Sequence, residues 1–411
     1  MIACRIKDIA YINRRTLAED TGEDFSFRYI DISSVDSLGN ITIPNDEIRF
    51  ADAPSRARRL APAGSVIIST VRTYLRAIAS VPASDNPLVF STGFAVLEAG
   101  PEVDSRFLAY HCRSQPFIDE VVARSVGVSY PAINASEIGS FPIELKPLEE
   151  QRRIADFLDA ETARINRLTY LRTQQAKLLT SHGVSRLSEL SNGLAERFGE
   201  VRLRHLLTHI EQGWSPQCED RPAEAGEWGV VKAGCVNTGR FDQLQHKALP
   251  INTEPRREYR LRLGDLLMSR ASGSPKLIGS VGIIRKLESN LLLCDKIYRL
   301  SLDQTRANSD FVAHMLRSHQ SREHIKNGIS GAEGMANNLP TSVVKDCVIP
   351  NVPIVLQDQI ATDLDRDVED IERARAVLEH SIMLLAERRQ ALVSAAVTGQ
   401  LDVTTARRTI A

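Results

Sequence analysis

The sequence lacks the features that mark several common protein classes. No apolar run approaches the roughly 18 to 20 residues needed to cross a bilayer, and the N-terminus has no signal-peptide pattern. The six cysteines occur without CxxC or Cys/His ligand spacing, and the nine histidines show no HExxH pattern. We therefore expect reduced, mostly buried thiols in a cytosolic protein, with no disulfide scaffold and no metal centre.

A large excess of charge of one sign is also missing. The formal net charge is -1, and the hydrophobic and charged fractions, 43% and 25%, are ordinary for a globular protein. Residues 1–145 carry 14 Lys and Arg against 18 Asp and Glu, whereas residues 200–352 carry 21 against 17. This balance disfavours a general polyanion binder, so any contact with a nucleic acid must come from local patches.

Motifs for catalysis on nucleic acids are absent as well. No (N/D)PP(Y/F) tetrad of an adenine methyltransferase occurs, and the glycine-rich stretches Gly273–Ser280 and Gly328–Gly334 do not fit the phosphate loop GxxxxGK(S/T). Glu144 and Lys146 give the letters ExK that some nucleases use, but such a triplet arises by chance in most proteins of this size. The sequence therefore predicts no catalytic centre and no metal site.

The most informative feature that is present is a long internal repeat. PLEEQRRIADFLD begins at Pro147 and PIVLQDQIATDLD begins at Pro353, so the two copies align at a shift of 206 residues. The identical pairs include Gln151 and Gln357, Ile154 and Ile360, Ala155 and Ala361, Leu158 and Leu364, Asp159 and Asp365, and Ile165 and Ile371. A repeat of this length implies a duplicated unit with an approximate internal two-fold.

Each copy of the repeat predicts the start of a long helix. Proline fits the first helical position because its missing N–H costs nothing there, and Glu149 and Glu150 face the positive end of the helix dipole. Gly399 predicts the end of the second helix, and Gly183 is a candidate for a bend or an early end in the first.

Apolar residues recur every seven positions along these helices, which is typical of a coiled-coil seam. The seam residues are Leu158, Ile165 and Leu179 in the first helix and Leu364, Ile371, Leu378, Leu385 and Leu392 in the second. Two such helices in one chain favour pairing with each other, antiparallel as the two-fold requires. The alternative is that each helix packs only on its own globular neighbour.

The sequence thus predicts a mixed α/β (α+β) protein with two similar globular domains separated by the two helices. SVIIS (Ser65–Ser69) and Leu88–Gly100 predict strands, and Phe107–Ser125 predicts one or two helices. The predicted segments are a first globular domain at 1–145, a first spacer helix at 146–197, a second globular domain at 198–352, a second spacer helix at 353–402 and a polar tail at 403–411.

This order of segments, with several short motifs, resembles the specificity subunit of type I restriction-modification systems over essentially the whole chain. The motifs are Tyr29–Asn40, Gly64–Ser69, Ser91–Leu97, Leu263–Arg270 and the helix end Ala395–Val403. The resemblance implies that each globular domain is a target recognition domain reading one half of a split sequence in double-stranded DNA. It also implies that the helices set the gap between the halves and dock two modification (adenine methyltransferase) subunits, which restriction (motor-nuclease) subunits join.

The same resemblance implies a chain that holds no cofactor and does not associate with a membrane. S-adenosylmethionine, ATP and Mg²⁺ are expected in the partner subunits, in the cytoplasm. Three alternatives stay open. The chain is a stand-alone fused nuclease or methyltransferase, or a coiled-coil adaptor with no DNA-reading role, or an orphan or phase-variable specificity chain whose partners have been lost.

Sequence-specific reading of DNA requires polar and basic side chains on loops that reach base edges, with phosphate contacts that fix the register. In the first domain the candidates lie in a loop after a strand, in a basic segment and in a third loop: Arg56, Arg58, Arg59, Arg72, Thr73, Tyr74, Arg76, Ser129, Tyr130 and Asn134. In the second domain they are Arg256, Arg257, Arg270, Ser272, Ser274, Lys276, Asn337 and Asn338. The bland interpretation of each residue alone is a solvated surface side chain. Because the two sets differ, the two half-sites are expected to differ too.

Overall fold

The computed structural model describes residues 2–127, 129–330 and 337–403, which form helices and strands in mixed order, as predicted. The elements up to the first long helix are β1 (Ile2–Arg5), α1 (Ile6–Ile9), β2 (Ala10–Ile12), β3 (Ser26–Ile30), β4 (Ile48–Arg49), β5 (Ala57–Leu60), β6 (Val66–Ser69), β7 (Ile78–Ser80), β8 (Leu88–Ser91), β9 (Phe94–Ala99), α2 (Ser105–Cys112), α3 (Gln115–Arg124), α4 (Ala135–Gly139), β10 (Pro142–Leu145) and α5 (Leu148–Phe198).

A second series of elements repeats this plan. They are β11 (Glu200–Arg202), β12 (Leu207–Gln212), β13 (Trp228–Val231), β14 (His246–Ala248), β15 (Leu266–Ser269), β16 (Ala271–Ser272), β17 (Val281–Ile283), β18 (Asn290–Leu292), β19 (Ile297–Leu302), α6 (Ser309–Met315), α7 (His319–Asn327), β20 (Asn337–Asn338), α8 (Thr341–Asp346), β21 (Val348–Pro350) and α9 (Ile354–Val397). Among the described residues, no helix has a stretch apolar enough for the hydrocarbon core of a bilayer.

The chain divides into two compact units. Unit 1 comprises Met1–Thr173 and Glu379–Ala411, and unit 2 comprises Gln174–Leu378. Each unit therefore contains one globular region, one part of α5 and one part of α9.

Unit 1 is built on two four-stranded sheets, in the orders β2-β9-β6-β7 and β4-β3-β8-β5, with β1 paired to β10. All pairings are antiparallel except that of β3 with β8. The four residues of β6 are all buried, which accounts for their unbroken β-branched and apolar character up to Ser69. Phe107 of α2 packs in one core cluster with Ile154 and Leu158 of α5 and with Val393 of α9.

Unit 2 repeats these pairings. Its sheets have the orders β12-β19-β15-β17 and β14-β13-β18, with β11 paired to β21, and β13 with β18 is again the parallel pair. Its main core cluster joins Phe311 of α6 to Ala361 and Leu364 of α9, and Leu187 and Leu194 of α5 pack against it. The duplication predicted from the helix repeat therefore extends to the sheets.

The first part of α5 packs with the last part of α9 in unit 1, and the last part of α5 packs with the first part of α9 in unit 2. The two helices are thus paired antiparallel, as predicted. Of the predicted seam, Leu158, Ile165, Leu364 and Leu378 are buried, and Leu179, Ile371, Leu385 and Leu392 are half-buried.

The helix ends follow the glycine signals only in part. The 44-residue helix α9 stops at Val397, and Gly399 follows with a φ of +78°, a left-handed conformation that ends helices and costs glycine nothing. In contrast, α5 is one helix of 51 residues that continues through Gly183. The early end that we considered at Gly183 therefore does not occur.

A buried glutamine ties the start of α5 to the globular region of unit 1. The Oε1 atom of Gln151 accepts the backbone N–H of Asp104 at 2.9 Å, and its Nε2 donates to the carbonyls of Glu102 at 3.1 Å and Lys146 at 2.8 Å. Asp104 in turn caps α2 by accepting backbone N–H groups of its first turn. This amide therefore fixes the beginning of α2 against the beginning of the long helix.

Unit 2 makes the same three bonds through Gln357. Its Oε1 accepts the N–H of Asn308 at 2.8 Å, and its Nε2 donates to the carbonyls of Arg306 at 3.0 Å and Val352 at 2.8 Å. Asn308 caps α6 as its counterpart caps α2. The identical glutamines found in the sequence repeat are therefore anchors, which explains why this polar residue is among those that match.

Candidate nucleic-acid interface

Three loops of unit 1 meet beside the end of β6, and we call residues 69–77, 91–94, 126–127 and 129–134 loop cluster 1. The backbone N–H of Thr70 donates to the carbonyl of Gly93, that of Arg72 donates to Pro131 and that of Ile133 donates to Thr70, each at 2.8 Å. These bonds bring together two of the loops that the sequence proposed as readers. They also add a third, the tight turn between β8 and β9.

Two arginines of loop cluster 1 have left-handed backbone conformations. Arg72 has a φ of 51° and Arg76 a φ of 53°, values that non-glycine residues rarely adopt and that cost on the order of 1 kcal/mol or more each. Both side chains are exposed. Backbone strain of this kind is concentrated at functional sites, which favours these arginines as functional residues.

Aromatic side chains stand beside these arginines. The guanidinium of Arg72 lies over the ring of Tyr130 at 5.0 Å from its centroid, and Tyr130 and Tyr74 are 66% and 55% exposed. An arginine held against a ring is pre-organised, and exposed rings can pack on sugars or base steps. The predicted residues Arg72, Tyr74, Arg76 and Tyr130 thus form one exposed group, next to the exposed Ser129.

The remaining predicted residues of these loops have other surroundings. Thr73 is 5% exposed, and its hydroxyl is 2.8 Å from that of Ser125, so it holds two loops together from within. Asn134 is exposed at the start of α4, where its backbone N–H donates to the carboxylate of Glu137 at 3.3 Å.

Unit 2 has a corresponding loop cluster 2, formed by residues 269–276, 294–297, 330 and 337–339. The strand pair β16 and β20 places Ala271 opposite Asn338 and Ser272 opposite Asn337. The N–H of Arg270 donates to the carbonyl of Lys296 at 2.8 Å, and the carbonyl of Arg270 accepts from the N–H that follows β20 at 2.9 Å. These are the bonds that Thr70 makes in loop cluster 1, so both clusters share one backbone construction.

The structural counterpart of Arg270 is therefore Thr70, which agrees with the similarity of Leu263–Ser269 to Ala63–Ser69 in the sequence. Arg270 is half-buried, and its guanidinium donates to the hydroxyl of Tyr298 at 3.1 Å and to the carbonyl of Asp295 at 3.2 Å. These bonds of Arg270 hold loop cluster 2 in place from its buried side. Among the other predicted residues, Lys276 is exposed, and Asn337 and Asn338 are half-buried.

Serine side chains shape the rest of loop cluster 2. The hydroxyl of Ser272 accepts the N–H of Ser274 at 3.3 Å, and both residues are half-buried. Contact of Ser272 and Ser274 with DNA stays a prediction.

The predicted basic segments lie on neighbouring parts of each unit. Arg56 is exposed, and its carbonyl accepts the N–H of Thr92, which places it next to loop cluster 1. Arg58 lies over the ring of Phe50 at 4.6 Å, and Arg59 is half-buried in β5. In unit 2, Arg256 lies over the ring of Trp214 at 4.8 Å, and Arg257 is exposed.

Sequence reasoning missed the turn that completes each cluster. It consists of Thr92 and Gly93 in unit 1 and of Asp295 and the exposed Lys296 in unit 2. A short polar break between two apolar runs was the available signal. Nothing local indicated that the turn would lie against Thr70 or Arg270, because that contact is made between segments more than 20 residues apart.

The two loop clusters present exposed basic and aromatic side chains, which are suited to contact with a nucleic acid. Within the described ranges, no group of three or more His, Cys, Asp or Glu side chains is placed to hold a metal ion. Lys146, one of the ExK letters, is 6% exposed, and its Nζ lies 3.2 Å from the Glu150 carboxylate at the start of α5. Its surroundings are those of a structural residue.

Comparison with known families agrees with this construction. Residues 4–177 match the model of the type I restriction modification DNA specificity domain. The EcoKI specificity subunit of Escherichia coli K12 is 22% identical over 325 residues, which cover 76% of this chain and 69% of that protein. Residues 4–177 therefore contain a type I restriction modification DNA specificity domain, and the chain is similar to type I specificity subunits.

Other similar proteins differ in how much of each chain the match covers. The EcoEI specificity subunit of Escherichia coli is 23% identical over 197 residues, and the match spans only 33% of its length. A solved chain described as "structural basis underlying complex assembly and conformational transition of the type I R-M system" is 24% identical, with a TM-score of 0.74 and coverage of 97% of this chain and 98% of that one.

A crystal structure of the HsdS subunit from Thermoanaerobacter tengcongensis is also 24% identical. It has a TM-score of 0.51, and the match covers 97% of both chains. At these identities the structural matches establish the fold: a mixed protein with two similar globular regions and two long helices, as the sequence predicted.

Proposed function

We propose that this chain is the DNA sequence-recognition subunit of a type I restriction-modification complex and that it binds an asymmetric bipartite target. The observation that carries the proposal is the pair of loop clusters, which share one backbone construction and differ in side chains. Cluster 1 presents Arg72, Tyr74 and Tyr130, and cluster 2 presents Lys276 and the Asn337–Asn338 strand. One scaffold with two unlike surfaces suits two unlike half-sites.

The mechanism is positional. Each cluster contacts base edges and phosphates of one half-site, with asparagine suited to adenine and arginine to guanine or phosphate. The chain itself catalyses no step. Two adenine methyltransferase subunits dock on it, flip the target adenine out of the duplex and use S-adenosylmethionine, and restriction subunits using ATP and Mg²⁺ join them in the cytoplasm.

The decisive experiment co-expresses the chain with the methyltransferase subunit of its own system and maps genomic adenine methylation at single-base resolution. We expect one bipartite motif with two different halves. A Tyr74→Ala, Tyr130→Ala double variant should change or abolish methylation at that motif through one half only. Its matched control is Tyr11→Ala, which removes an exposed tyrosine of β2 outside the clusters and the long helices.

Three results would contradict the proposal. Methylation by the chain alone would make it an enzyme. Methylation at a contiguous motif would remove the bipartite reading. Absence of any sequence-selective DNA binding together with the methyltransferase would leave a coiled-coil adaptor.

The role of the helices has its own test. If α5 and α9 set the gap between half-sites, inserting four residues, about one helical turn, in the 160–180 region lengthens the tolerated gap and leaves both halves unchanged. An unchanged gap with one altered half-site would show that the helices do not have this role.

A further inference from the structure

The turn at 294–297 in loop cluster 2 carries an acidic side chain. Of the residues that define the two loop clusters, Asp295 is the only one with a carboxylate, against five Arg and Lys. The phosphates of DNA repel a negative charge, which disfavours a carboxylate in a surface that contacts DNA. A carboxylate in this position therefore requires either a cation that neutralises it or a donor that it accepts from.

The chain does not supply that cation or donor. Within the described ranges the carboxylate of Asp295 has no ion pair and accepts no hydrogen bond. Its Oδ1 atom is enclosed, whereas Oδ2, which also lacks a partner, is not. The guanidinium of Arg270 donates to the main-chain carbonyl of Asp295 at 3.2 Å and to the hydroxyl of Tyr298 at 3.1 Å. The adjacent Lys296 is exposed, and it forms no ion pair in the part of the chain that the structure describes.

The backbone that carries this carboxylate is held in place. The N–H of Arg270 donates to the carbonyl of Lys296 at 2.8 Å, and the N–H of Ile297 donates to the carbonyl of Cys294 at 3.3 Å. Ile297 then begins β19, which pairs with both β12 and β15. A side chain on a turn that is fixed in this way is pre-organised, as selective recognition requires.

Unit 1 has a different side chain at the equivalent position. The N–H of Thr70 donates to the residue after Thr92, just as the N–H of Arg270 donates to the residue after Asp295. Thr92 is exposed, and its hydroxyl can both donate and accept. The carboxylate is therefore a property of unit 2 alone.

An ionised carboxylate only accepts hydrogen bonds, which limits the base edges that it fits. In the major groove guanine offers two acceptors, and thymine offers an acceptor and a methyl group. Adenine has an amino donor, but its N7 acceptor lies beside that donor and repels a second acceptor. Cytosine offers its N4 amino group without an acceptor of its own beside it. Cytosine is thus the base that a carboxylate suits best.

We propose that the carboxylate of Asp295 accepts a hydrogen bond from the N4 amino group of a cytosine in the half-site that unit 2 reads. The inference rests on the proposed function and adds to it a C·G pair at one fixed position of that half-site. No such preference is expected from the Thr92 turn, because a hydroxyl suits donors and acceptors alike.

The first test leaves the protein unchanged. Genomic methylation by the wild-type chain with its methyltransferase defines the motif. Competition with duplexes altered in one half, using the Tyr74→Ala, Tyr130→Ala variant, shows which half unit 1 reads. Each cytosine of the motif is then replaced singly by 2-pyrimidinone, which lacks the amino group, and binding of the chain with its methyltransferase is measured. We expect one position in the unit 2 half to lose at least about tenfold more affinity than the other cytosines, which report the cost of a weakened base pair.

The second test removes the acceptor. In Asp295→Ala the additional tenfold loss at that position should disappear, and genomic methylation should no longer require cytosine there. The matched control is Asp220→Ala, an exposed aspartate of unit 2 outside the loop clusters, in which the loss should persist. The base analogue is measured on the wild-type chain, so its result does not depend on whether the variant folds.

The outcomes distinguish this inference from the proposed function. Absence of a bipartite motif with the wild-type chain would remove both. A bipartite motif without a cytosine in the unit 2 half, or without a position of increased loss there, would overturn the inference alone. The same holds if the loss persists in Asp295→Ala. Tighter binding of that variant to all duplexes with the loss unchanged would show that the carboxylate acts only by repelling phosphates, which also overturns the inference.

Discussion

Units 1 and 2 share a backbone plan and differ in the chemistry placed on it. The hydroxyl of Tyr110 donates to the carboxylate of Asp159 at 2.7 Å in unit 1, and the Nε2 of His314 lies 2.8 Å from the carboxylate of Asp365 in unit 2. Burial raises the pKa of Tyr110, whereas burial, together with the nearby charge of Arg317, lowers the pKa of His314. The same contact is therefore insensitive to mild acid in one unit and sensitive in the other.

The loop clusters differ in the same way. Thr70 and Arg270 make the same backbone bonds, and both side chains reach the adjoining turn. The Thr70 hydroxyl donates to the carbonyl of Gly93 at 2.9 Å, whereas the Arg270 guanidinium donates to the carbonyl of Asp295 and also to the hydroxyl of Tyr298. Duplication has thus kept the contacts that hold each long helix and each loop in place. The side chains around those contacts are where the two units have diverged.

The largest effect is expected from the helix anchors. Gln151→Leu and Gln357→Leu each leave one buried carbonyl, one part-buried carbonyl and one part-buried N–H without partners, so each should lower the free energy of unfolding by about 3 kcal/mol. Chemical denaturation measures the change. Gln359→Leu, at an exposed position of α9, should stay within about 0.5 kcal/mol. If one of the two glutamine substitutions lowered the free energy of unfolding by less than about 1 kcal/mol, Gln151 and Gln357 would not be equivalent anchors.

Substitution of Arg72 and of Arg270 should separate a role in DNA binding from a role in holding loop cluster 2 together. Arg72→Ala should weaken binding through one half-site about tenfold with little change in stability, because its side chain is exposed. Arg270→Ala should also lower the free energy of unfolding by about 1 to 2 kcal/mol, since its bonds to Tyr298 and Asp295 are lost. Competition binding on mutated half-sites and denaturation measure the two effects. Equal weakening on every sequence would make Arg72 a phosphate contact.

A smaller effect is expected from pH. Because its folded pKa is lowered, His314 favours the fold while neutral, and this contribution is lost as the pH falls below its ordinary value near 6.5. His314→Tyr introduces the residue of unit 1 and should reduce the loss of stability below pH 6.5. Thermal unfolding midpoints between pH 7 and pH 5 measure it. His111, whose pKa burial lowers to about 4, stays in the variant, so part of the acid sensitivity should persist.

The smallest effect is expected from substitution of two exposed cationic side chains that are not among the residues compared above. Lys276→Ala and Arg56→Ala should each weaken DNA binding on all sequences alike and reduce the slope of log K against log salt concentration by about 1. Binding titrations at several salt concentrations measure the slope. If binding changed for only one half-site, the substituted residue would contact bases and not phosphates. The two loop clusters would then differ more than we expect.

Local sequence signals were sufficient where an element depends on its own residues. The strands around Ser65–Ser69 and Leu88–Gly100 and the paired helices at Phe107–Ser125 occur close to where their periodicity predicts them. Gly183 is the exception. Glycine costs a helix interior only about 1 kcal/mol relative to alanine, and packing of α5 on both sides of it offsets that cost.

The sequence by itself determined the duplication, the two antiparallel helices and the mixed fold class, because a repeat and a heptad pattern can be seen in the sequence without knowledge of tertiary contacts. Only the tertiary structure decided that Thr73 lies inside, that Arg270 braces its cluster, and that the turns at Thr92–Gly93 and Asp295–Lys296 complete the interface. Those outcomes depend on contacts between loops distant along the chain, and no local pattern specifies which backbone groups will meet.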